Sequence, residues 1–423
     1  MSTRLDADLD LLSIIAPGDH IIWGHGCGEP ATLIEALIAQ RHSIGPVNAF
    51  AASSFSKLLT PEMTDGIRLT SMGAIGTMRA LAATGRLGII PCHVGQIGRL
   101  IETGHIGCDI AMVQISPPDD QGRHSFGLIN DYIQSALAKA RIVIAEVNDQ
   151  IPHSTCDAWL DASAIDYRIE TSRPPTEVAP AEIGETDRAI AAHAARYIGD
   201  GAILQLGIGA VPDALFQLLG DRRDLGIHSG MIGDGLVDLV HAGAVTNATK
   251  PFDRGVSVSG ALIGTLRLYD FAHRNPTLLL KASQHTHGDA ALAALPGLVS
   301  INSAVEVDLT GQVNAEAIGN AYIGGTGGQV DYVRAASRSP GGCSIIALPA
   351  TGRKGASSRI VHQLDGPVTT ARSEVDIIVT EYGAAELKGQ PLDERMRRMI
   401  AIAHPDFRED LSREAHAFQQ RGY

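Results

Sequence analysis

The sequence predicts an α/β protein made of two related α/β halves whose sheets are at least partly parallel. Three observations lead to this prediction: a composition rich in glycine, one pattern that occurs twice, and a strand-helix-strand unit. Glycine occurs 46 times and aromatic residues make up 4% of the chain, which suits many short strand-to-helix turns better than a β-sandwich. The length of 423 residues favours two or three domains, because one ordinary core does not extend over so long a chain.

One pattern occurs at Gly18–Leu37 and again at Gly199–Leu219. Each segment has Gly-Asp, a short apolar run, glycines spaced by one residue, a proline, and then apolar residues at helical spacing. This order predicts a buried strand, a tight turn and a helix that begins near Pro30 or Pro212, where the missing N–H of proline costs nothing. The match predicts that the two halves are related.

The strand-helix-strand unit lies between Cys108 and Asn148. Two apolar, β-branched runs, "CDIAMVQISPP" and "ARIVIAEVN", flank the helical pattern "DYIQSALAKA", so at least part of the first sheet is expected to be parallel. Later strands are predicted in "GCSIIALPA" and "VDIIVTEYGAAEL", followed by a mostly helical tail. The proline- and charge-rich stretch Glu170–Ala189 predicts a boundary between domains 1–185 and 186–423.

Charge and cysteine content exclude several classes of protein. The net charge is −13 and no run of lysine or arginine is present, which argues against nucleic acid and against an anionic membrane as partners. An anionic cofactor can still be bound locally by backbone N–H groups. The five scattered cysteines form no C-x-x-C pair, and no apolar stretch has the ~18 residues of a membrane span. We expect a soluble cytoplasmic protein with buried thiols.

The glycine-rich stretch "IGGTGGQVDYVRAA" contains Gly324, Gly325, Gly327 and Gly328 within five positions. Such a loop can approach a ligand closely or form an oxyanion hole, and the alternative is a flexible surface loop. The turns "GHGCGEP" and "GIGAVP" lack the spacing of a dinucleotide fingerprint, and no Walker lysine follows them.

Three other motifs allow both a functional and a structural interpretation. In "HSGM", His228 and Ser229 could belong to a site, or could be a hydrogen-bonded histidine and a helix-capping serine. In "QHTH", the two histidines lack a third ligand close by in sequence, so no metal site is predicted. In Val305–Gly319, which turns at Gly311, the carboxylates could line a site or could satisfy backbone donors. These carboxylates are Glu306, Asp308 and Glu316.

Seven segments in order along nearly the whole chain resemble the acetyl-CoA hydrolase/transferase family, part of the class I CoA-transferases that includes 4-hydroxybutyrate CoA-transferase. They are "GEPATLIEAL", "DIAMVQISPPDDQGRHSFG", "ARIVIAEVNDQIP", "LQLGIGAVPDAL", "INSAVEVDLTGQVNAE", "GGTGGQVDYVRAA" and "VTEYGAAELKGQPLDERMRRMIAIAHPDFREDL". The resemblance implies two open α/β domains with the active site in the cleft between them. It also implies coenzyme A or acyl-CoA as substrate, bound mainly by the C-terminal half, no metal, and a homo-oligomer, either a dimer or a tetramer.

The resemblance implies a nucleophile that this sequence lacks. In the family, an enzyme glutamate attacks the thioester and becomes a glutamyl-CoA, while glycine N–H groups stabilise the oxyanion. The family pattern I-H-[ST]-E-M, followed by D-G, aligns with Ile227–Met231 and Asp234-Gly235. Gly230 therefore stands where the glutamate belongs, and the covalent route is not carried over through this position.

The resemblance also assigns the other site residues. The CoA contacts are Gly324, Gly325, Gly327 and Gly328, with Lys388 as a phosphate partner; Gly207 and Gly209 are backbone donors near the reacting carbonyl; and Glu29, Glu306 and Glu316 are the candidate replacement carboxylates. Three functions stay open: a CoA-transferase that uses another carboxylate or direct transfer, a hydrolase or acyltransferase, and a non-catalytic acyl-CoA-binding paralogue. Small apolar side chains in "SSFSKLL" and "MGAIGTMRA" suggest a modest acyl chain.

Overall fold

The computed structural model describes residues 3–4, 9–352 and 355–422. The strands are β1 (Thr3–Arg4), β2 (His20–Trp23), β3 (Val47–Phe50), β4 (Ile67–Ser71), β5 (Leu87–Ile89), β6 (Ile110–Ile115), β7 (Arg123–His124), β8 (Ile142–Asn148), β9 (Thr155–Cys156), β10 (Leu160–Asp161), β11 (Tyr167–Thr171), β12 (Ile203–Leu206), β13 (Gly226–Ile232), β14 (Ser257–Leu262), β15 (Leu278–Leu280), β16 (Leu298–Ser303), β17 (Glu306–Asp308), β18 (Val313–Asn314), β19 (Ala317–Ile318), β20 (Ala321–Tyr322), β21 (Cys343–Ala347), β22 (Thr351–Gly352), β23 (Ser357–Ser358), β24 (Ile360–Val361), β25 (Ile377–Thr380) and β26 (Gly383–Glu386). The helices are α1 (Ala31–Ile44), α2 (Arg79–Ala83), α3 (Val94–Glu102), α4 (Ile133–Lys139), α5 (Glu185–Ala195), α6 (Ala210–Leu218), α7 (Gly235–His241), α8 (Leu266–Ala272), α9 (Ser283–Thr286), α10 (Asp289–Ala293), α11 (Gln329–Arg338), α12 (Leu392–Ala401) and α13 (Pro405–Gln420).

Two large sheets form the centre of the molecule. The first has the order β1-β11-β8-β6-β2-β3-β4-β5, and the second has the order β26-β25-β21-β16-β12-β13-β14-β15-β9. All pairs of the first sheet are parallel, and in the second sheet β25 and β26 pair antiparallel. The α/β class and the parallel sheets are thus confirmed.

The repeated pattern gives equivalent elements in the two sheets. In the first half it forms β2 and α1, and in the second half it forms β12 and α6. β2 lies between β3 and β6, and β12 lies between β13 and β16. The predicted unit β6-α4-β8 is also present, with β6 and β8 paired parallel. Local pattern therefore located these elements correctly.

The two halves share structure beyond their own sheets. Strand β9 belongs to the first half of the chain but pairs with β15 at the edge of the second sheet. The largest buried apolar cluster includes Val113 of the first sheet and Leu204 of the second. The predicted boundary at 185/186 falls at the first residue of α5, between the last strand of the first sheet and β12. The halves thus meet over a buried contact surface.

Strand β13 extends further than the motif "LGIHS" suggests. It continues through Gly230 to Ile232, because Met231 pairs with Ala261 and Ile232 with Leu262 of β14. The turn follows at Gly233. Residue 230 is therefore part of a strand in the interior of a sheet.

The burial of the thiols agrees with the expectation from the scattered cysteines. All five cysteines are free and four of them are buried, and burial raises the pKa of the Cys27 thiol to about 11. Within the described residues, no helix combines the length and the apolar character that a membrane crossing requires.

Candidate functional site

The glycine loop, Ile323–Gly328, lies between the two halves of the molecule. Ala74 N–H donates to Gly324 O at 2.7 Å, and Val94 N–H donates to Gly327 O at 3.1 Å. At the start of the helix that follows, Gly95 N–H donates to Asp331 Oδ2 at 3.1 Å. These bonds fix the loop against the N-terminal half, so the alternative of a flexible surface loop is wrong.

Packing explains why this loop consists of glycines. A Cβ on Gly325 would lie 2.9 Å from Gly73 Cα, and a Cβ on Gly324 would lie 2.3 Å from Ala315 O. Gly327 has a φ of +58°, which glycine adopts at little cost. The N–H of Gly324 already donates to the carbonyl of Glu316 at 3.0 Å, so it is not a free donor for a ligand.

The side chain of His287 fills the space next to Gly230. A Cβ on Gly230 would lie 2.4 Å from Cε1 and 2.5 Å from Nε2 of His287, and a Cβ on Gly328 would lie 2.4 Å from Nε2. Real Cβ atoms do not approach other atoms this closely, so the imidazole in this orientation leaves no room for a side chain at either position. The structure therefore brings together three motifs that are far apart in sequence: "HSGM", "QHTH" and the glycine loop.

The N-terminal half reaches the same region through Asn130 and Asp131. Asn130 N–H donates to Gly260 O at 3.0 Å. Gly260 lies close to Gly230, because a Cβ added to Gly260 would be 3.0 Å from Gly230 O. Asp131 Oδ2 is 2.9 Å from His25 Nε2, whereas Asp131 Oδ1 is buried and has no hydrogen-bond partner in the described part of the chain. Local sequence pattern did not assign Asp131 or His287 to a site. The signal for Asp131 was its partner His25 in "GHGCG", and the signal for His287 was the histidine pair in "QHTH".

Glu29 is a buried carboxyl group in the turn after β2. It is 1% exposed, its Oε2 accepts a bond from Ser56 N–H at 3.2 Å, and its Oε1 has no hydrogen-bond partner in the parts of the chain that the structure covers. Burial raises the pKa of Glu29 to about 7. Ile129 packs against Gly28 and pairs with Ala261 of β14, so it lies between this turn and the second sheet.

Two carboxylates of Val305–Gly319, Asp308 and Glu316, accept hydrogen bonds from nearby protein groups. Asp308 Oδ1 accepts bonds from Thr310 N–H and Gln312 N–H at 2.9 and 3.0 Å, which confirms the interpretation that it satisfies backbone donors around Gly311. Glu316 accepts a bond from Thr369 Oγ1 at 2.8 Å and one from Tyr322. Glu306 is half-buried in β17. None of the contacts of these groups involves Gly230.

The structural alternative suggested by the sequence, a hydrogen-bonded His228 and a helix-capping Ser229, is not what the structure shows. Ser229 Oγ contacts Leu206 O at 2.9 Å and Met231 O at 2.8 Å, so it is a strand residue rather than a helix cap. Both ring nitrogens of His228 are buried without a hydrogen-bond partner among the described residues. Burial, together with the charge of Lys250, lowers the pKa of His228 to about 3, so the ring is neutral at physiological pH.

The first histidine of "QHTH", His285, lies beside Asp253 and His228. His285 Nε2 lies 2.9 Å from Asp253 Oδ2, and with His228 these residues form a set whose ligand atoms all lie within 4.8 Å of one another. A metal could be held by such a set, which the local spacing did not reveal. However, Lys281 Nζ already lies 2.8 Å from Asp253 and 3.2 Å from His285. The positive charge beside these two side chains is therefore the ammonium group of Lys281.

Gly209 borders a cavity at the carboxyl ends of β12, β13 and β14. The cavity has a volume of about 250 Å³, and Gly209 has a φ of +123° immediately before α6. Its lining is Val178, Ala179, Pro180, Ala181, Ile208, Gly209, Asp213, Gly233, Asp234 and Ile263. Gly207 is not part of the lining, so of the two predicted backbone donors the structure places Gly209 at the cavity.

Lys388 lies away from the glycine loop. Its Nζ donates to Ser337 O and is 3.6 Å from Asp376 Oδ1. Ser337 is in the last turn of α11, whereas the loop precedes Gln329, so the two are about 12 Å apart along the helix. Binding a phosphate near the loop would require Lys388 to leave these partners.

The fold defines a class of two-domain α/β proteins that are built from two related halves. Residues 3–180 match the N-terminal domain, and residues 264–415 the C-terminal domain, of the acetyl-CoA hydrolase/transferase family. The chain is 41% identical to 4-hydroxybutyrate coenzyme A transferase of Clostridium kluyveri over 95% of each chain. The chain belongs to the acetyl-CoA hydrolase/transferase family.

Solved structures support the same assignment. RipA from Yersinia pestis is 35% identical, with a TM-score of 0.94 over 99% of this chain and 98% of that chain. A 4-hydroxybutyrate CoA-transferase from Porphyromonas gingivalis is 33% identical, with a TM-score of 0.84 over 98% and 97% of the two chains. The predicted family, the two-domain α/β fold and a CoA-thioester-dependent transferase are confirmed.

Proposed function

We propose that this protein moves CoA between a small acyl-CoA and a carboxylate without forming a glutamyl-CoA at residue 230. The supporting observation is the contact between Gly230 and His287: no carboxylate is attached at 230, and an imidazole fills the space where a side chain would begin. The relative of Clostridium kluyveri, named for CoA transfer to or from 4-hydroxybutyrate, matches over nearly the whole of both chains.

Direct transfer in a ternary complex needs no enzyme nucleophile. The acceptor carboxylate attacks the thioester carbonyl, the C–S bond breaks, and a mixed anhydride and the CoA thiolate result. The thiolate then attacks the acceptor's carbonyl carbon, which forms the new thioester and releases the donor carboxylate. The mixed anhydride and the CoA thiolate must both stay bound until the second attack. Their retention replaces the covalent enzyme intermediate of the glutamyl route.

The proposed binding residues follow from their positions. Gly209 is the backbone donor for the developing oxyanion, since it lies at the cavity and at the start of a helix. The apolar side chains of Val178, Ile208 and Ile263 suit a short acyl chain. Gly325, Gly327 and Gly328 remain the proposed CoA contacts, and a homo-oligomer remains a prediction.

Steady-state kinetics test this function directly. The protein is incubated with acetyl-CoA or butyryl-CoA and with acetate or succinate, and the new acyl-CoA is quantified by mass spectrometry. Direct transfer gives intersecting double-reciprocal lines, whereas a covalent glutamyl route gives parallel lines. Absence of any new acyl-CoA, combined with a rise in Tm on addition of acyl-CoA, would instead indicate a binding protein.

A further inference from the structure

His287 lies beside Gly230 and Gly328, at the boundary between the two halves. It follows α9, and its Nε2 is directed at the backbone of Gly230 and Gly328. Tyr332 packs edge-on against the ring, with centroids 4.9 Å apart, and Tyr332 OH donates to Thr286 O at 2.7 Å. The imidazole is therefore held in one orientation at the boundary between the halves.

Hydrogen bonding involves one ring nitrogen of His287. Thr286 Oγ1 lies 2.9 Å from His287 Nδ1, and the same hydroxyl lies 3.5 Å from Ala282 O. In the tautomer with the proton on Nδ1, this nitrogen donates to Thr286 Oγ1, and the lone pair is on Nε2, the atom next to Gly230.

The surroundings also keep the ring uncharged. His287 is 6% exposed, and a buried imidazole favours its neutral form because burial penalises the charged form. A neutral imidazole at neutral pH can accept a proton from a reacting group.

We propose that His287 is a catalytic base that activates water, so that the protein hydrolyses acyl-CoA when no carboxylate acceptor is bound. The inference rests on the proposed function, since it assumes that the thioester binds beside Gly230. The water oxygen bonds to the thioester carbon while Nε2 accepts the water proton. The C–S bond then breaks, the CoA sulfur takes that proton from His287, and the products are the carboxylic acid and free CoA.

The test compares His287→Asn with the unmodified protein. CoA release from acetyl-CoA is measured with a thiol reagent in the absence of any carboxylate, and CoA transfer to acetate is measured separately. We expect CoA release to fall about 100-fold or more, with loss of the solvent deuterium isotope effect, while transfer falls less than tenfold. His105→Asn, an exposed histidine bonded to Thr103, is the matched control and leaves both rates unchanged.

The possible results separate this inference from the proposed function. Unchanged CoA release in a folded His287→Asn variant, or transfer without any CoA release in the unmodified protein, overturns the role of His287 and leaves CoA transfer standing. CoA release without transfer to any carboxylate, lost in His287→Asn, supports the base and overturns the transferase. Absence of both reactions overturns both. If His287→Asn does not fold, His287→Gln and His287→Ala provide the same comparison.

Discussion

The imidazole of His287 lies where the side chain of residue 230 would begin, with Cε1 only 2.4 Å from the Cβ position of Gly230. A substitution at one of these positions therefore changes what the other position can hold. This relationship connects the strand that carries "IHSGM" to the segment after α9, and it makes the missing carboxylate and the buried histidine a single feature of the site.

Gly230→Ala is expected to destabilise the protein by about 1–3 kcal/mol, because the new methyl group overlaps the ring of His287. In the His287→Ala background the same change should cost less, so the two effects are not additive. Urea unfolding of the four proteins measures this coupling. Gly220→Ala serves as the control, since its Cβ would meet nothing within 4 Å; additive effects at 230 and 287 would contradict the overlap.

A carboxylate side chain at residue 230 has room only when the imidazole of His287 moves away or is removed. Gly230→Glu alone overlaps His287, whereas Gly230→Glu with His287→Ala has room for the side chain. We expect the double variant to form an acyl-enzyme or glutamyl-CoA adduct at residue 230, trapped by hydroxylamine or borohydride and located by mass spectrometry.

The matched control for that experiment is Gly230→Gln with His287→Ala, which has the same size but no nucleophilic carboxylate and should form no adduct. A folded Gly230→Glu/His287→Ala protein that binds acyl-CoA without forming an adduct would show that residue 230 does not adjoin the thioester.

Glu29→Gln is expected to change how stability depends on pH. Burial raises the pKa of Glu29 to about 7, so the folded protein binds a proton that the unfolded chain has already released. Relative to the glutamine variant, the stability contributed by Glu29 is fully present below the unfolded pKa of about 4.5. It is lost at about 1.4 kcal/mol per pH unit as the pH rises to about 7.

Urea unfolding of both proteins at several values between pH 4.5 and pH 8 measures this difference. The Glu29→Gln variant should become more stable relative to the unmodified protein as the pH rises. The difference in their free energies of unfolding should level off above about pH 7. A difference that is constant over this range would mean that the Glu29 carboxyl titrates normally.

Local sequence pattern predicted most of the architecture. Apolar runs of strand length, followed by glycine turns and helical periodicity, located β2-α1, β12-α6 and β6-α4-β8, since these elements depend on residues close together in sequence. The same reasoning did not find the end of β13, because the strand is extended by pairing with β14, which no local signal reports.

The sequence by itself determined the family, the two-domain α/β fold and the absence of a carboxylate at residue 230. Only the tertiary structure decided what stands beside that glycine: His287 between Gly230 and Gly328, and Asp131 next to His25. Side chains far apart in sequence meet only after both sheets have packed against each other, so their contacts follow from the packing of the whole chain and not from the spacing within any one motif.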